Sequence, residues 1–508
     1  MWLPAATAVC ALVALHLSAP AYLLDQGFPL DDAWIHAVYA RELSASGLLA
    51  YNPGVPATGE TSPLWAVVLA IVHAAAPGGA ATVAWSKLTG FLLHATGATV
   101  AAVALYRASG GAAWLWPAIG GALAAAHPDL VAASVSGMEV PLANCLIALS
   151  LLAAVGDRRI LFAVLGAAAY LARPEAAVPV VALSVFWIRE RRTTAFWLAV
   201  SGAAGVLLAA ASLALRNLMV SGLPLPATFY AKANLSSPFH VIWQRRGFVD
   251  LMGELTLFSS PILLGIVAAL SVLFLLRRAE APANRAAAAA SLAGLAFCVV
   301  SFALVPPVDA KAFYHQRYVL PALLPLTAAL PTLCHALLWR LRRPSAPAAT
   351  LLVCTAAAVL MVRDMPVRAQ RLSNDARNID DVQVRLGLAL ASAEPGESAW
   401  IVDAGAARFF GRAFVVDLMG LNTFELLTPG AQAYLDEHPP AYLDVFPGWS
   451  RVEAPGGEAM PATTYETTTP YTVTSTPAMR SHTLVRCQPV GRAGAIEIRR
   501  QKLAFRCA

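Results

Sequence analysis

The chain predicts an α-helical polytopic membrane protein with a small α/β domain at its C-terminal end. Its residues are 58% hydrophobic and only 13% charged, with mean hydropathy +0.62. Soluble domains carry about 25% charge. Apolar windows recur over most of the 508 residues, and a stretch of about 20 such residues crosses a bilayer as a helix. In lipid the backbone must satisfy its own polar groups, so these segments read as helices. After about residue 363 the long apolar runs stop, and Arg, Asp, Glu, Thr and Pro take over.

Spans are expected near 2–24, 83–106, 112–127, 138–156, 160–171, 175–188, 195–217, 256–276, 287–305, 318–340 and 347–362. That is about eleven transmembrane helices. The segments 160–171 and 175–188 are short, and Pro174 between them suits a turn, since proline ends or kinks a helix. Orientation follows from the basic clusters: Arg107; Arg158 and Arg159; Arg189, Arg191 and Arg192; Arg277, Arg278 and Arg285; Arg340, Arg342 and Arg343. The positive-inside rule places all five on the cytoplasmic side, with the N-terminus inside and the C-terminal part outside. Counting the short apolar segment 63–76 as a span would reverse every later cluster, so it reads as an interfacial or re-entrant helix. Ser18-Ala19-Pro20-Ala21 is rich in small residues, but no basic stretch precedes it, so an uncleaved first span is expected. The chain thus divides into a membrane domain, 1–362, with an outer loop at 25–82, and an extracytoplasmic domain, 363–508.

In that second domain, Ser398 to Asp403 and Ala413 to Asp417 read as short buried strands. Gly405 to Arg412 forms a turn or short helix between them, and Thr463 to Thr476 suits strands or an extended loop. Cys10, Cys145, Cys298, Cys334 and Cys354 lie in apolar segments and read as small core residues. Cys487 and Cys507 fall in the outer domain, where an oxidising compartment permits either a disulfide or two thiols. No CxxC, His-rich or phosphate-loop pattern occurs, which argues against an ATP-driven pump. The formal charge of +6 lies in clusters between spans, where it orients helices and does not imply nucleic acid.

The polar residues at the outer face carry the functional reading. Asp31 and Asp32 follow the first span. Glu60 precedes Thr61-Ser62-Pro63. Glu139 opens the fourth span, and Arg173 and Glu175 flank Pro174. Tyr230 and Lys232 follow the seventh span, and His315 and Arg317 precede the tenth. Charge at a membrane boundary is costly, so such residues are functional candidates. Taken singly, each has an ordinary role as solvated loop end, local ion pair or snorkelling anchor. Together they place carboxylates and cations on one layer. That chemistry suits attack on a phosphorylated lipid carrier: cations neutralise the leaving phosphate, and a carboxylate takes the proton of an acceptor hydroxyl.

Asp31-Asp32-Ala33-Trp34, Tyr39-Ala40-Arg41, Tyr51-Asn52-Pro53-Gly54 and Thr61-Ser62-Pro63-Leu64-Trp65 resemble the first outer loop of GT-C-fold glycosyltransferases. Within these the chain most resembles the mycobacterial terminal β-(1→2) arabinofuranosyltransferase group. Ser136 to Glu139, Ala172 to Glu175, Leu225 to Lys232, Arg317-Tyr318, Asp403 to Gly405 and Asp417 to Asn422 match later blocks in order. The resemblance implies transfer of a sugar, such as arabinofuranose, from a polyprenyl-phosphate donor outside the cytoplasmic (inner) membrane. The acceptor would be a cell-envelope glycan, lipid or protein, with membrane lipid around the enzyme. Asp31 and Asp32 would be the catalytic carboxylates. Glu60, Glu139, Arg173, Glu175, Tyr230, Lys232, His315 and Arg317 would serve donor and acceptor. Glu60 replaces the usual Tyr or Thr, and Ala227 the usual Asn, which leaves sugar and acceptor open. Some relatives bind a divalent cation, although no ligand spacing here requires a metal or other cofactor. A transporter or flippase of lipid-linked intermediates would favour internal repeats, and none is evident. A noncatalytic envelope-assembly protein is the third reading.

The topology is directly testable. A reporter active only in the cytoplasm, fused after Ala508, should be silent, while one inserted at Arg340 should be active. Activity of the first fusion would reverse the orientation.

Overall fold

The computed structural model describes residues 27–111, 114–184, 192–232, 270–274, 281–304, 317–341, 343–445, 451–453, 471–475, 485–487 and 503–506. Among the described residues, five helices are long and apolar enough to cross a membrane: Gly79–Ala108, Thr193–Ser221, Pro282–Ser301, Leu320–Leu341 and Ala346–Ser392. Shorter apolar helices occupy Pro63–Ala75, Leu115–Ala126, Val140–Val155 and Arg159–Ala172. The spans expected at 2–24 and 256–276 lie wholly or mostly outside the described residues. The protein is thus a polytopic helical membrane protein with a small sheet region in its C-terminal part.

Two compact units divide the chain. The first comprises residues 1–24, 86–212 and 234–373. At its centre Leu320–Leu341 packs against Pro282–Leu304 and Leu115–Ala126, while Val140–Val155 packs on Arg159–Ala172. Apolar side chains gain little from leaving lipid, so close backbone approach must hold these helices together. Gly120 supplies such an approach, since a Cβ there would meet the Ala328 carbonyl oxygen at 2.1 Å. Pro325 and Pro331 lie inside Leu320–Leu341, where neighbouring helices in a membrane protein tolerate them.

The second unit comprises residues 25–85, 213–233 and 374–508. It opens with the helix Asp31–Ser46, which stops where Gly47 adopts φ +74° and its N–H returns to the Leu43 carbonyl, a glycine C-cap. Strands β1 (Ala50–Asn52) and β2 (Val55–Pro56) form a hairpin. Pro53 and Gly54, with Gly54 at φ +73°, supply the turn chemistry this reversal demands. Strands β3 (Ser398–Ile401), β4 (Phe414–Asp417), β5 (Pro440–Val445) and β9 (Leu503–Arg506) form a sheet of order β4-β3-β5-β9. Its first three strands are parallel, and β9 runs antiparallel to β5. β6 (Arg451–Glu453), β7 (Tyr471–Ser475) and β8 (Val485–Cys487) make a second, antiparallel sheet. The helix Gly405–Phe410 joins β3 to β4. Residues 463–470 and Cys507 lie outside the described residues.

The helix Ala346–Ile379 passes through residue 363 without interruption and continues into a π-helical turn, Asp380–Val384. The polar residues beyond the apolar run include good helix formers such as Arg and Gln, so propensity does not stop it.

Trp34 anchors the second unit. It is 2% exposed, and its ring centroid lies 4.9 Å from Phe28, 4.8 Å from Phe409 and 4.9 Å from Phe410. Aromatic pairs at these separations add to the burial of their area. Trp34→Ala should destabilise the unit by about 3–5 kcal/mol. Limited proteolysis in detergent should then cleave between residues 27 and 85 faster than in the parent, and an unchanged rate would contradict this packing.

Candidate functional site

The first-loop carboxylates sit in the second unit. Leu30 is extended and Asp31 begins the helix, so both aspartates occupy its first turn, where the helix dipole favours negative charge. Successive helical side chains point about 100° apart, and the two aspartates differ accordingly. Asp31 is buried, at 4% exposure. Its carboxylate accepts the backbone N–H groups of Gly405 (2.5 Å) and Ala406 (2.8 Å). It thereby caps the first turn of Gly405–Phe410, whose amides have no partner within the helix. Gly405 is required there, because a Cβ would meet the Asp31 carbonyl oxygen at 2.1 Å. Asp32 is only partly buried.

Glu60 is 4% exposed. Both its oxygens lie 2.9 Å from Nδ1 of His36, and it also accepts the Ser62 N–H at 2.6 Å. Tyr39 donates to Asn422 Oδ1 at 3.1 Å and accepts the Gly59 N–H at 3.1 Å. Burial and the nearby Glu60 charge hold the Tyr39 phenol well above its ordinary range. The segment after the Thr193–Ser221 helix clamps the same loop. Ala227 N–H donates to Thr58 O, and Thr228 Oγ1 to Gly59 O at 2.7 Å. Arg216 donates to the carbonyls of Leu49 (2.9 Å) and Ala57 (2.8 Å). Tyr230 is half-buried, and its hydroxyl accepts the Leu225 N–H at 3.4 Å. Lys232 ends the helix Ala227–Lys232, but its side chain lies outside the described residues, as does His315.

The C-terminal segment completes this unit. Asn52 pairs with β4 as a strand would: its Nδ2 donates to Val415 O, and its Oδ1 accepts the Val415 N–H, both at 2.9 Å. Asp417 is 1% exposed. It accepts Met419 N–H, Asn422 N–H and Asn422 Nδ2 at 2.8–2.9 Å. Its own N–H goes to Thr423 Oγ1. Gln383, from the π-helical turn, donates to Asp403 at 2.5 Å. Arg408 donates to Tyr51 O and Gly411 O, and burial lowers its pKa to about 10.

The remaining candidates assemble in the first unit. Pro174 excludes helical geometry at the residue before it. Arg173 therefore leaves its helix in an extended conformation, φ −158° and ψ 126°. Its guanidinium lies 2.5 Å from Glu139 and 3.6 Å from Glu175, and donates to Arg317 O at 3.4 Å. Arg317 donates to the Tyr318 hydroxyl at 3.0 Å and approaches Met138 Sδ at 3.8 Å. Both guanidinium groups lie against the Tyr318 ring, at 5.6 and 5.0 Å, a cation–π arrangement. Glu139, Arg173 and Arg317 are all about 95% buried. The buried Nε of Arg173 has no hydrogen-bond partner. One unit thus holds Asp31, Asp32, Glu60 and Tyr230, and the other Glu139, Arg173, Glu175 and Arg317.

Sequence reasoning passed over His36 and Gln383. His36 stands four residues after Asp32, a spacing that puts both on one helix face, and that was its one available signal. Among the described residues no three His, Cys, Asp or Glu side chains are grouped to hold a metal ion.

Three comparisons bear on this arrangement. Residues 377–484 match a family described as Domain of unknown function (DUF8728). No curated protein matches the chain. The chain is similar in structure to the oligosaccharyltransferase of Archaeoglobus fulgidus in its apo form, at 11% identity and TM-score 0.55, over 87% of this chain and 69% of that one. The same archaeal protein, AglB, in complex with an inhibitory peptide and a dolichol-phosphate, aligns at 10% identity and TM-score 0.53, over 96% and 76%. ArnT from Cupriavidus metallidurans aligns at 15% identity and TM-score 0.46, over 87% and 92%.

Asp417 makes this site pH-sensitive. Burial, opposed by its hydrogen bonds to Asn422 and Met419, raises its pKa from 3.8 to about 6. The folded protein therefore binds this proton more tightly than the unfolded chain does. The contribution is full below about pH 4 and is lost as pH rises through about 6, a change of roughly 3 kcal/mol. In detergent, melting temperatures of the parent and Asp417→Asn should differ in slope between pH 4 and 6 and run parallel above pH 7. Parallel curves throughout would remove the shift.

Proposed function

We propose that this chain, whose fold is that of GT-C membrane glycosyltransferases, is itself such an enzyme and transfers a sugar from a polyprenyl-phosphate carrier to an extracytoplasmic envelope acceptor. The observation that carries the reading is the division of labour between the two aspartates. Asp31 is committed to backbone amides, and this fixes the helix so that Asp32, the next side chain round, is the less buried carboxylate.

In this reading Asp32 is the general base. It takes the proton of the acceptor hydroxyl as that oxygen bonds the anomeric carbon and the carrier phosphate departs. A positioned base contributes typically a hundredfold to ten-thousandfold. The first unit by itself gathers Arg173 and Arg317, cations of the kind that bind a lipid phosphate, and Lys232 and His315 are assigned the same task from the sequence. The unpartnered Nε of Arg173 supports this, because a phosphate oxygen would satisfy it with a charge-assisted bond. Glu139 and Glu175 hold Arg173 in place. That an archaeal relative in fold has been seen with a dolichol-phosphate supports a lipid-phosphate donor. A pentofuranose such as arabinofuranose is the sugar we favour, on the first-loop residues alone.

Membranes should be supplied with polyprenyl-phosphate donors carrying radiolabelled arabinofuranose, mannose or glucose. The parent should transfer one of them. Asp32→Asn, which keeps size and capping ability, should lose about a hundredfold or more in rate with its melting temperature intact. Asp31→Asn should lose stability as well as rate, because its one carbonyl oxygen can accept only one of the two amides the carboxylate holds, and a buried donor left unpaired costs about 1–3 kcal/mol. Parental rates in Asp32→Asn would remove it from catalysis.

A further inference from the structure

We propose that Asp403, positioned by Gln383, binds adjacent hydroxyls of a sugar substrate at the carboxyl end of the parallel strands. The proposal rests on the glycosyl-transfer reading above and gives that reaction a binding residue with no part in it so far. The first observation is place. The helix Gly405–Phe410 leads from β3 to its neighbour β4, and the helix Ala431–Glu437 then leads back past β3 to β5 on its other side. The winding of the sheet therefore reverses between β3 and β5. Open sheets of parallel strands hold ligands outside the carboxyl ends at such a reversal. β3 ends at Ile401, and Asp403 follows it closely.

The second observation is the pair itself. Gln383 is 3% exposed, and its Nε2 donates to Oδ2 of Asp403 at 2.5 Å. An ionised carboxylate only accepts, so the amide nitrogen must face it and the amide oxygen must turn away. That buried oxygen has no hydrogen-bond partner among the described residues. An orphaned buried acceptor is costly, and a hydroxyl arriving beside Asp403 relieves it. Asp403 is only partly buried, so the pair opens through it. Gln383 belongs to the π-helical turn Asp380–Val384, an uncommon element that concentrates at functional sites.

The third observation is charge. A helix that follows a strand in such a sheet commonly offers its first amides to a phosphate. Here Asp31 takes the amides of Gly405 and Ala406. The Asp403 charge also reaches the buried carboxyl of Asp417. An anionic ligand would meet carboxylates where it needs donors. Asp403 and the Gln383 oxygen offer acceptors, and a neutral ligand with two neighbouring hydroxyls, one donating to each, fits them. A sugar ring carries that pair of donors, whether it belongs to the acceptor or to the donor's sugar.

The test uses the full chain in nanodiscs. Equilibrium binding is measured for octyl glycosides of arabinofuranose, mannose and glucose and for their monodeoxy analogues. Transfer to them is then measured from whichever radiolabelled donor the parent uses. The parent should bind one glycoside, and loss of one hydroxyl should weaken it about tenfold or more. Asp403→Ala should bind the intact and deoxy forms alike, a readout that a merely structural carboxylate would not move. Gln383→Met, which keeps the volume, should lower the discrimination as well. In transfer, a raised KM for the glycoside alone places the acceptor at Asp403, and a raised KM for the donor alone places the donor's sugar there. Parental discrimination in Asp403→Ala would overturn the proposal and, with transfer intact, leave the enzyme reading standing. Weaker binding that only tracks a lowered melting temperature, with discrimination unchanged, would overturn it too. So would loss of parental binding on adding EDTA, which would make this a cation site. A parent that binds none of the glycosides would overturn the site whether or not it transfers. Discrimination lost in Asp403→Ala, in a protein that transfers from no donor, would keep the sugar site and defeat the transfer reading.

Discussion

One carboxylate holds the acidic unit in register. Asp31 satisfies the amides of Gly405 and Ala406, residues more than 370 positions away along the chain. Left unmade, those bonds would cost roughly 1–3 kcal/mol for each buried donor. The contact also fixes the rotation of the Asp31–Ser46 helix about its own axis. Once Asp31 faces Gly405, helical geometry determines where Asp32, His36 and Tyr39 point. Trp34 seals the same face against Phe28, Phe409 and Phe410.

Around that contact, polar groups in the second unit are satisfied largely by neighbours distant in sequence. Arg216 pins the ends of the hairpin, Thr228 holds Gly59, and Asn52 completes β4. Each bond removes freedom from a loop that would otherwise be mobile. A rigid frame of this kind is what a positioned base needs, because small displacements of a reacting group are expensive. The first unit uses a different device. Its apolar helices approach through small residues, and its charges are gathered into one buried group of Glu139, Arg173, Glu175 and Arg317.

Much of this was legible in the residues. Apolar runs placed the long helices, and Pro174 marked where one ends and Arg173 turns outward. Glu139, Arg173, Glu175 and Arg317, read from the sequence as part of one polar set, meet in the first unit. The strands at 398–401 and 414–417 and the helix between them follow from short apolar runs around Gly405. Pairings across long separations were not legible. Nothing near Asp31 reveals that its partner is residue 405, and nothing in Gly59-Glu60 reveals His36, because helix phase and loop path decide both. The end of the Ala346–Ile379 helix was also hidden, since loss of apolar character after 362 ends the lipid-compatible stretch and not the helix.

The side chain of Asn52 has a consequence for recognition. β4 is an outer strand of its sheet, and an outer strand usually offers unpaired amides to any extended polypeptide. Here the outward Val415 N–H and C=O are occupied by Asn52, and the Asp417 N–H by Thr423. This edge is therefore closed to strand addition. A second copy of the chain cannot extend the sheet there, which protects the unit from edge-to-edge aggregation. Nor can any other extended polypeptide add to the sheet at this edge by main-chain pairing.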